Sequence, residues 1–280
     1  MDVVARGVDV SSNNGGGTGA VNWQAVKAAG YSFAMVRIGY GMQSATGHGT
    51  YISKSYEPQM QGAAAAGLDR GVYWYSTAAT PEQAREEAHT VLAAIRPYKL
   101  PYPVAFDFEW PQVIGGVDSA GNRYTGLPKG EQLDIIDAFM RPLEAAGYYA
   151  VLYMSASPLA ALRSYAPARI DRYDCWVAQY AAKCTYPGVY GMWQHHGDAR
   201  GFVGTIPGVA GPIDLNDCYQ DYPTLMRRAG KNGYGVDTAP ETPQEPPAGE
   251  TMTITVSELT ALRDALAAAL EAVDKLAAGR

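Results

Sequence analysis

Two hydrophobic periods alternate along this chain, and that alternation leaves few folds open. Residues 7–12 (G-V-D-V-S-S), 33–40 (F-A-M-V-R-I-G-Y), 71–76 (G-V-Y-W-Y-S), 103–110 (P-V-A-F-D-F-E-W) and 150–155 (A-V-L-Y-M-S) are β-branched or aromatic runs of strand length. Each is followed by residues at helical spacing: 23–29, around 56–66, from Thr80 to about Ile95, 129–146, and a short stretch near 158–164. Gly30, Gly67 and Gly147 close three of these, where a glycine supplies the left-handed cap residue. Thr80 opens another as T-P-E-Q, an N-cap followed by proline at the first helical position. The Gly/Ser/Thr-rich stretch before 56–66 reads as a long loop. Strand–helix repeats of this kind build a parallel sheet through right-handed crossovers. Three further strands, 174–180, 190–196 and 213–219, are joined by Gly/Pro loops without helices. Five strand–helix units and three bare strands predict an α/β fold, a TIM-like (β/α)5(β)3 barrel that has lost its last helices.

The C-terminal region is different. Residues 1–230 read as the barrel domain. Residues 231–250 contain four prolines and few apolar residues, the composition of a semi-extended linker. Residues 251–280 read as a helical appendage. Thr255 and Glu258 have capping-box spacing, although Ser257 could be the cap instead. Leu259, Leu262, Leu266, Ala269, Val273 and Leu276 trace an a/d seam. So short a helix is marginal alone. Three docking partners are open to it: its own copies, making a homo-oligomer; the barrel; or an outside ligand.

The formal net charge is -6 and there is no run of Lys or Arg, so nucleic acid is not an expected partner. No apolar run is long enough to span a membrane. The N-terminus lacks the basic and apolar regions of a secretory signal, so synthesis in a cytoplasm is expected. The four histidines have no metal-ligand spacing, and neither a metal nor a cofactor is expected. The 20 tyrosines and 5 tryptophans suit a sugar polymer, whose rings stack on aromatic faces while phenol hydroxyls bond their edges.

The chemistry centres on A-F-D-F-E-W. Asp107 and Glu109 are two apart, so on a strand they share a face inside an apolar run. Buried carboxylates are costly unless paired or used. Alone, the pair reads more readily as a salt-bridged strand end at a loop mouth than as a catalytic pair. A parallel barrel, however, collects the C-terminal strand ends at one mouth. Asp9 ends the first strand, Asp214 lies on the last, and closure makes those strands neighbours. Four crowded carboxylates raise one another's pKa, which suits general acid catalysis on a neutral polar substrate. Glycoside hydrolysis is the leading reaction class. Strand parity adds Tyr73, Tyr75, Tyr153 and Gln194 as inward residues. Tyr75 and Tyr153 read either as sugar contacts or as barrel packing. Trp110 and Trp193 read either as cleft or as core.

The motifs G-V-D-V-S-S, G-L-D-R-G-V-Y-W-Y-S, A-F-D-F-E-W, V-L-Y-M-S, C-W-V-A-Q-Y, M-W-Q and G-P-I-D-L-N follow one another over about residues 5–225. Together they resemble the glycoside hydrolase family 25 lysozymes, the N-acetylmuramidases of phage endolysins and bacterial autolysins. The resemblance implies a flattened barrel and a peptidoglycan substrate. It implies that Glu109 is the general acid, that Asp107 orients it, and that Asp9 and Asp214 complete the acidic cluster. It implies a retaining mechanism, with the nucleophile either a carboxylate or the substrate's own acetamide. The missing secretory signal favours release to the cell wall by a holin-type route. Relatives carry cysteines near Cys184 and Cys218, which suggests a disulfide if the two strand ends meet. Residues 251–280 lack the aromatic repeats by which such enzymes often bind walls.

Overall fold

The computed structural model describes residues 2–45, 47–198 and 201–235. Its strands are β1 (Ala5–Val10), β2 (Phe33–Ser44), β3 (Gly47–Ile52), β4 (Asp69–Tyr75), β5 (Val104–Asp107), the short pair β6 (Gly116–Val117) and β7 (Arg123–Tyr124), β8 (Ala150–Ser155), β9 (Asp174–Ala178), β10 (Met192–His196) and β11 (Asp214–Cys218). Its helices are α1 (Asn14–Gly17), α2 (Trp23–Ala28), α3 (Tyr56–Ala65), α4 (Pro81–Ile95), α5 (Pro111–Ile114), α6 (Lys129–Ala145), α7 (Ala156–Tyr165), α8 (Pro167–Ile170) and α9 (Tyr222–Arg228). None of them is long and apolar enough to cross a membrane.

Eight strands close into the expected α/β barrel in the order β1-β2-β4-β5-β8-β9-β10-β11, with β11 returning to β1. From β1 round to β10 every pairing is parallel. β11 is antiparallel to both of its neighbours. Helices α2, α3, α4, α6 and α7 follow the first five barrel strands, and among the described residues no helix separates β9, β10 and β11. Thr80 caps α4 by accepting from Gln83 N, as its motif predicted.

Strand alternation gives two cores. Outward residues such as Trp74, Phe106, Leu152 and Val177 pack under the helices, with Phe106 stacked on Phe139 of α6 at 4.0 Å. Inward residues fill the barrel: Phe33, Met35, Tyr73, Tyr102, Val151, Tyr153, Trp176 and Met192. Gly71 is required at the floor, because a Cβ there would meet the Met35 sulfur and Tyr102.

Three features differ from the sequence reading. The stretch after 40 is not a loop. β2 runs on to Ser44 and pairs with β3 as a hairpin standing outside the ring. Helices also do not end with α7, since α9 places Tyr222 and Met226 against the barrel floor. Finally, the folded unit extends beyond residue 230. Asn232, in the left-handed region at φ 55, is fully buried. Its side chain donates to Leu100 O at 3.1 Å and Tyr102 O at 2.9 Å, and accepts from Tyr149 N at 2.7 Å. The rest of the linker and the helix expected at 251–280 lie outside the described residues.

The expected disulfide is absent: Cys184 and Cys218 are both free thiols. β10 begins at Met192, and Met192 itself pairs with Cys218. Cys184 is therefore in the preceding loop, against the outer core, while Cys218 is in the inner core. The Cys218 thiol donates to Gln220 O at 3.2 Å. Cys175 is buried in the outer core.

Replacing Asn232 by Ala strands two carbonyls and an amide and strains the backbone. It should lower the thermal midpoint by roughly 5–10 °C, with Lys231→Ala close to wild type in the same calorimetric scan. An unchanged midpoint for Asn232→Ala would show that the clasp contributes nothing.

Candidate active site

The mouth of the barrel is a cleft of about 530 Å³, and Asp9, Asp107, Glu109 and Asp214 all line it. Register places them there. Asp9 sits opposite Asp214 across the β1–β11 pair. Asp107 sits between Tyr75 of β4 and Tyr153 of β8. Glu109 lies two residues beyond Asp107, past the end of β5. Phe108 between them turns the other way, fully buried and stacked on Phe106 at 5.3 Å. That ring anchors the turn so that both carboxylates face the cleft. The reversal of β11 explains how Asp214, the first residue of its strand, meets residues from the ends of the others.

A hydrogen-bond network under the mouth holds Asp9. Asp9 Oδ2 accepts from Gln194 Nε2 and from Asn216 Nδ2, each at 2.9 Å. Gln194 Oε1 in turn accepts from Tyr153 OH at 2.9 Å and Tyr180 OH at 3.2 Å. Asn216 Oδ1 accepts from Trp176 Nε1 at 2.8 Å. Each amide therefore has its nitrogen facing Asp9 and its oxygen tied to the barrel wall, which orients both as donors. Asp214 adds a third hydrogen bond to Asp9.

These contacts divide the protons. Burial raises Asp9 above the ordinary carboxylate range, and the donors from Asn216, Gln194 and Asp214 pull it back. Burial, then the Asp9 charge and the hydrogen bond to it, push Asp214 up to about 9. Of this pair, Asp214 keeps its proton near neutrality and donates it to Asp9. Burial, with Glu109 and Asp9 nearby, holds Asp107 well above its usual range, and the Arg37 guanidinium offsets only part of this. Asp107 Oδ1 is buried without a hydrogen-bond partner among the described residues. Burial and the Asp9 charge raise Glu109 to about 7.

Of the expected contacts, Tyr73, Tyr75, Tyr153 and Gln194 line the cleft. Trp110 does not. It precedes α5 and packs half-buried against the outer core, because it is one residue out of phase with Glu109. Trp193 also points away, its Nε1 donating to Gln179 O at 2.8 Å. His195 and His196 do not diverge as adjacent strand residues should; a register shift between Gln194 and His196 brings their rings to 4.7 Å.

Sequence reading missed the cleft residues Arg37, Trp176, Tyr180, Asp198 and the Ser11–Asn14 loop, and Asn216 beneath them. Parity could have found four of them. Arg37 is in phase with Phe33 and Met35, Trp176 and Tyr180 share a phase, and Asn216 is two from Asp214. Arg37 also donates to Ser12 Oγ at 2.8 Å.

Comparison with known proteins follows the same lines. Among curated protein sequences, none matches this chain. Several solved structures share its fold. A bacterial lysozyme from Streptomyces coelicolor is 22% identical, with a TM-score of 0.60 over 82% of this chain and 98% of that one. A family 25 glycosyl hydrolase from Bacillus anthracis is 18% identical, with a TM-score of 0.60 over 84% and 96%. A muramidase from Acremonium alcalophilum is 19% identical, with a TM-score of 0.58 over 82% and 99%. The model of the glycosyl hydrolases of family 25 matches residues 8–202, more than half of the sequence, and the chain belongs to that family.

Proposed function

We propose that this chain is a peptidoglycan hydrolase that cleaves the β-1,4 bond between N-acetylmuramic acid and N-acetylglucosamine. One observation carries the reading: Glu109 faces an open cleft with its pKa raised to about 7, beside three further carboxylates. Family membership and the lysozyme-like neighbours support the substrate class.

In this reading Glu109 is the general acid. It protonates the leaving glycosidic oxygen as the bond to the anomeric carbon breaks. Asp107, whose carboxyl burial holds well above its usual range, is a poor nucleophile, and it lines the same cleft. The substrate's acetamide oxygen therefore attacks the anomeric carbon, with Asp107 holding the acetamide. Water then opens that intermediate, with ionised Glu109 as base, so configuration is retained. Asp9 supplies the buried negative charge that keeps Glu109 protonated and favours the developing positive charge on the sugar. Asp214 keeps Asp9 in place. Tyr75 and Tyr153 contact the sugar rings. The product is a broken glycan strand and a lysed wall.

Glu109→Gln should clear a Gram-positive wall suspension roughly 10²–10⁴-fold more slowly than wild type. New reducing ends should fall in parallel, and free amines should not change with either protein. Equal clearing by both would remove Glu109 from the acid role.

The pH dependence has a definite sign. Glu109 donates only while protonated, so activity should fall as pH rises through about 7. Stability should fall as well. Asp214 and Glu109 have folded-state values of about 9 and about 7, above their ordinary 3.8 and 4.5. The folded protein therefore binds more protons than the unfolded chain across that window. Their contribution is complete below about pH 4 and is lost as pH rises through 7 and then 9. The thermal midpoint should decline from pH 5 to pH 9, and Asp214→Asn should flatten the upper part of the decline. A midpoint rising over that range would contradict the proton assignment.

A further inference from the structure

The hairpin that the barrel does not need lies beside the cleft, and its two faces differ. Tyr40 pairs with Tyr75 on one side and with Tyr51 on the other. Tyr75 lines the cleft. Cross-strand partners share a face, so Tyr75, Tyr40 and Tyr51 form one row that continues the inner wall of the barrel beyond its mouth. The Tyr40 and Tyr51 ring centroids are 5.1 Å apart, and Arg37, itself a cleft residue, lies 5.9 Å over the Tyr40 ring. Met42, next on that face, is exposed and has only Gly49 opposite. Both tyrosines are half-buried, and among the described residues neither phenol has a hydrogen-bond partner.

The opposite face is fastened down. Glu87 of α4 is fully buried, pairs with His48 at 3.2 Å and accepts from Thr77 N at 3.2 Å. Gln43 Nε2 donates to Thr77 O at 2.7 Å and to Gln83 Oε1 at 3.0 Å. Thr90 donates to Thr50 at 3.2 Å. A Cβ at Gly41 would run into the Glu87 carboxylate, so glycine lets the hairpin lie flat on the helix. Behind this clasp the tyrosine row is held in place before any ligand arrives, which limits the ordering cost of binding.

We propose that Tyr40 and Tyr51, which continue the cleft wall from Tyr75, are a platform for additional N-acetylated sugar rings of the glycan strand, beyond those at Glu109. This rests on the muramidase reading and extends it to substrate length. Neighbouring strands are about 4.8 Å apart, so the row lengthens the cleft wall by about 10 Å. Its chemistry is that of a pyranose site: flat rings for the apolar sugar face and unpartnered hydroxyls for its edge. The enzyme should accordingly prefer long glycans to short ones.

The test uses the full chain and peptide-free peptidoglycan glycans of defined length, from tetrasaccharide to octasaccharide. Reducing-end release gives kcat and KM for wild type, Tyr40→Ala, Tyr51→Ala and the two Tyr→Phe variants. Tyr→Leu variants, which keep bulk without a ring, stand in if an Ala variant fails to fold. On the octasaccharide the Ala variants should lose about tenfold in kcat/KM, through KM. On the tetrasaccharide they should match wild type, and the Phe variants should retain most of the length preference. Loss that is equal at every length, or no loss at all, would overturn the platform while leaving the muramidase reading intact. No product from wild type on any glycan would instead overturn the muramidase reading.

Discussion

The whole site depends on how the barrel closes. Seven strands run one way, and β11 alone runs the other, wedged between β10 and β1. Because it is reversed, its first residue is at the mouth, and Asp214 meets Asp9 across the seam. The same strand carries Asn216, which donates to Asp9, and Cys218, which helps to fill the floor. One short strand thus completes the hydrogen-bonded ring, seals the inner core and sets the electrostatics of the cleft.

Those electrostatics follow from unequal solvation. All four carboxylates are withdrawn from water, and burial dominates each shift. What distinguishes them is the company each keeps. Asp9 has three donors and can carry charge. Asp214 is the neighbour that must then keep its proton. Asp107 has the Arg37 guanidinium, which offsets only part of its burial. Glu109 is raised by burial and Asp9 alone, which leaves it near neutrality and facing the open cleft. The Gln194 and Asn216 amides, locked by Tyr153, Tyr180 and Trp176, maintain this division by presenting only their nitrogens to Asp9.

Much of this was legible in the sequence because local rules and the fold agree. Glycine-closed helices after β-branched runs specify strand–helix units, and parity turns D-F-E into two carboxylates on one face. The failures also have physical causes. Strand direction leaves no mark on residues 214–218, so the reversal of β11 could not be read from them. The β3 hairpin is rich in Gly, Ser and Thr, and its backbone pairing carries it rather than an apolar alternation. Trp110 is an aromatic beside Glu109, but its phase sends it to the outer core. A Cys184–Cys218 bridge would need β10 to begin near Cys184. It begins at Met192, and the intervening loop places the two thiols in different cores.

The central claim is that this cleft cuts glycan strands on the muramic acid side. Mass spectrometry of fragments from digested, borohydride-reduced peptidoglycan reads that bond directly. Fragments ending in reduced N-acetylmuramic acid are the predicted result. Fragments ending in reduced N-acetylglucosamine, or intact glycans released from cut peptides, would contradict it.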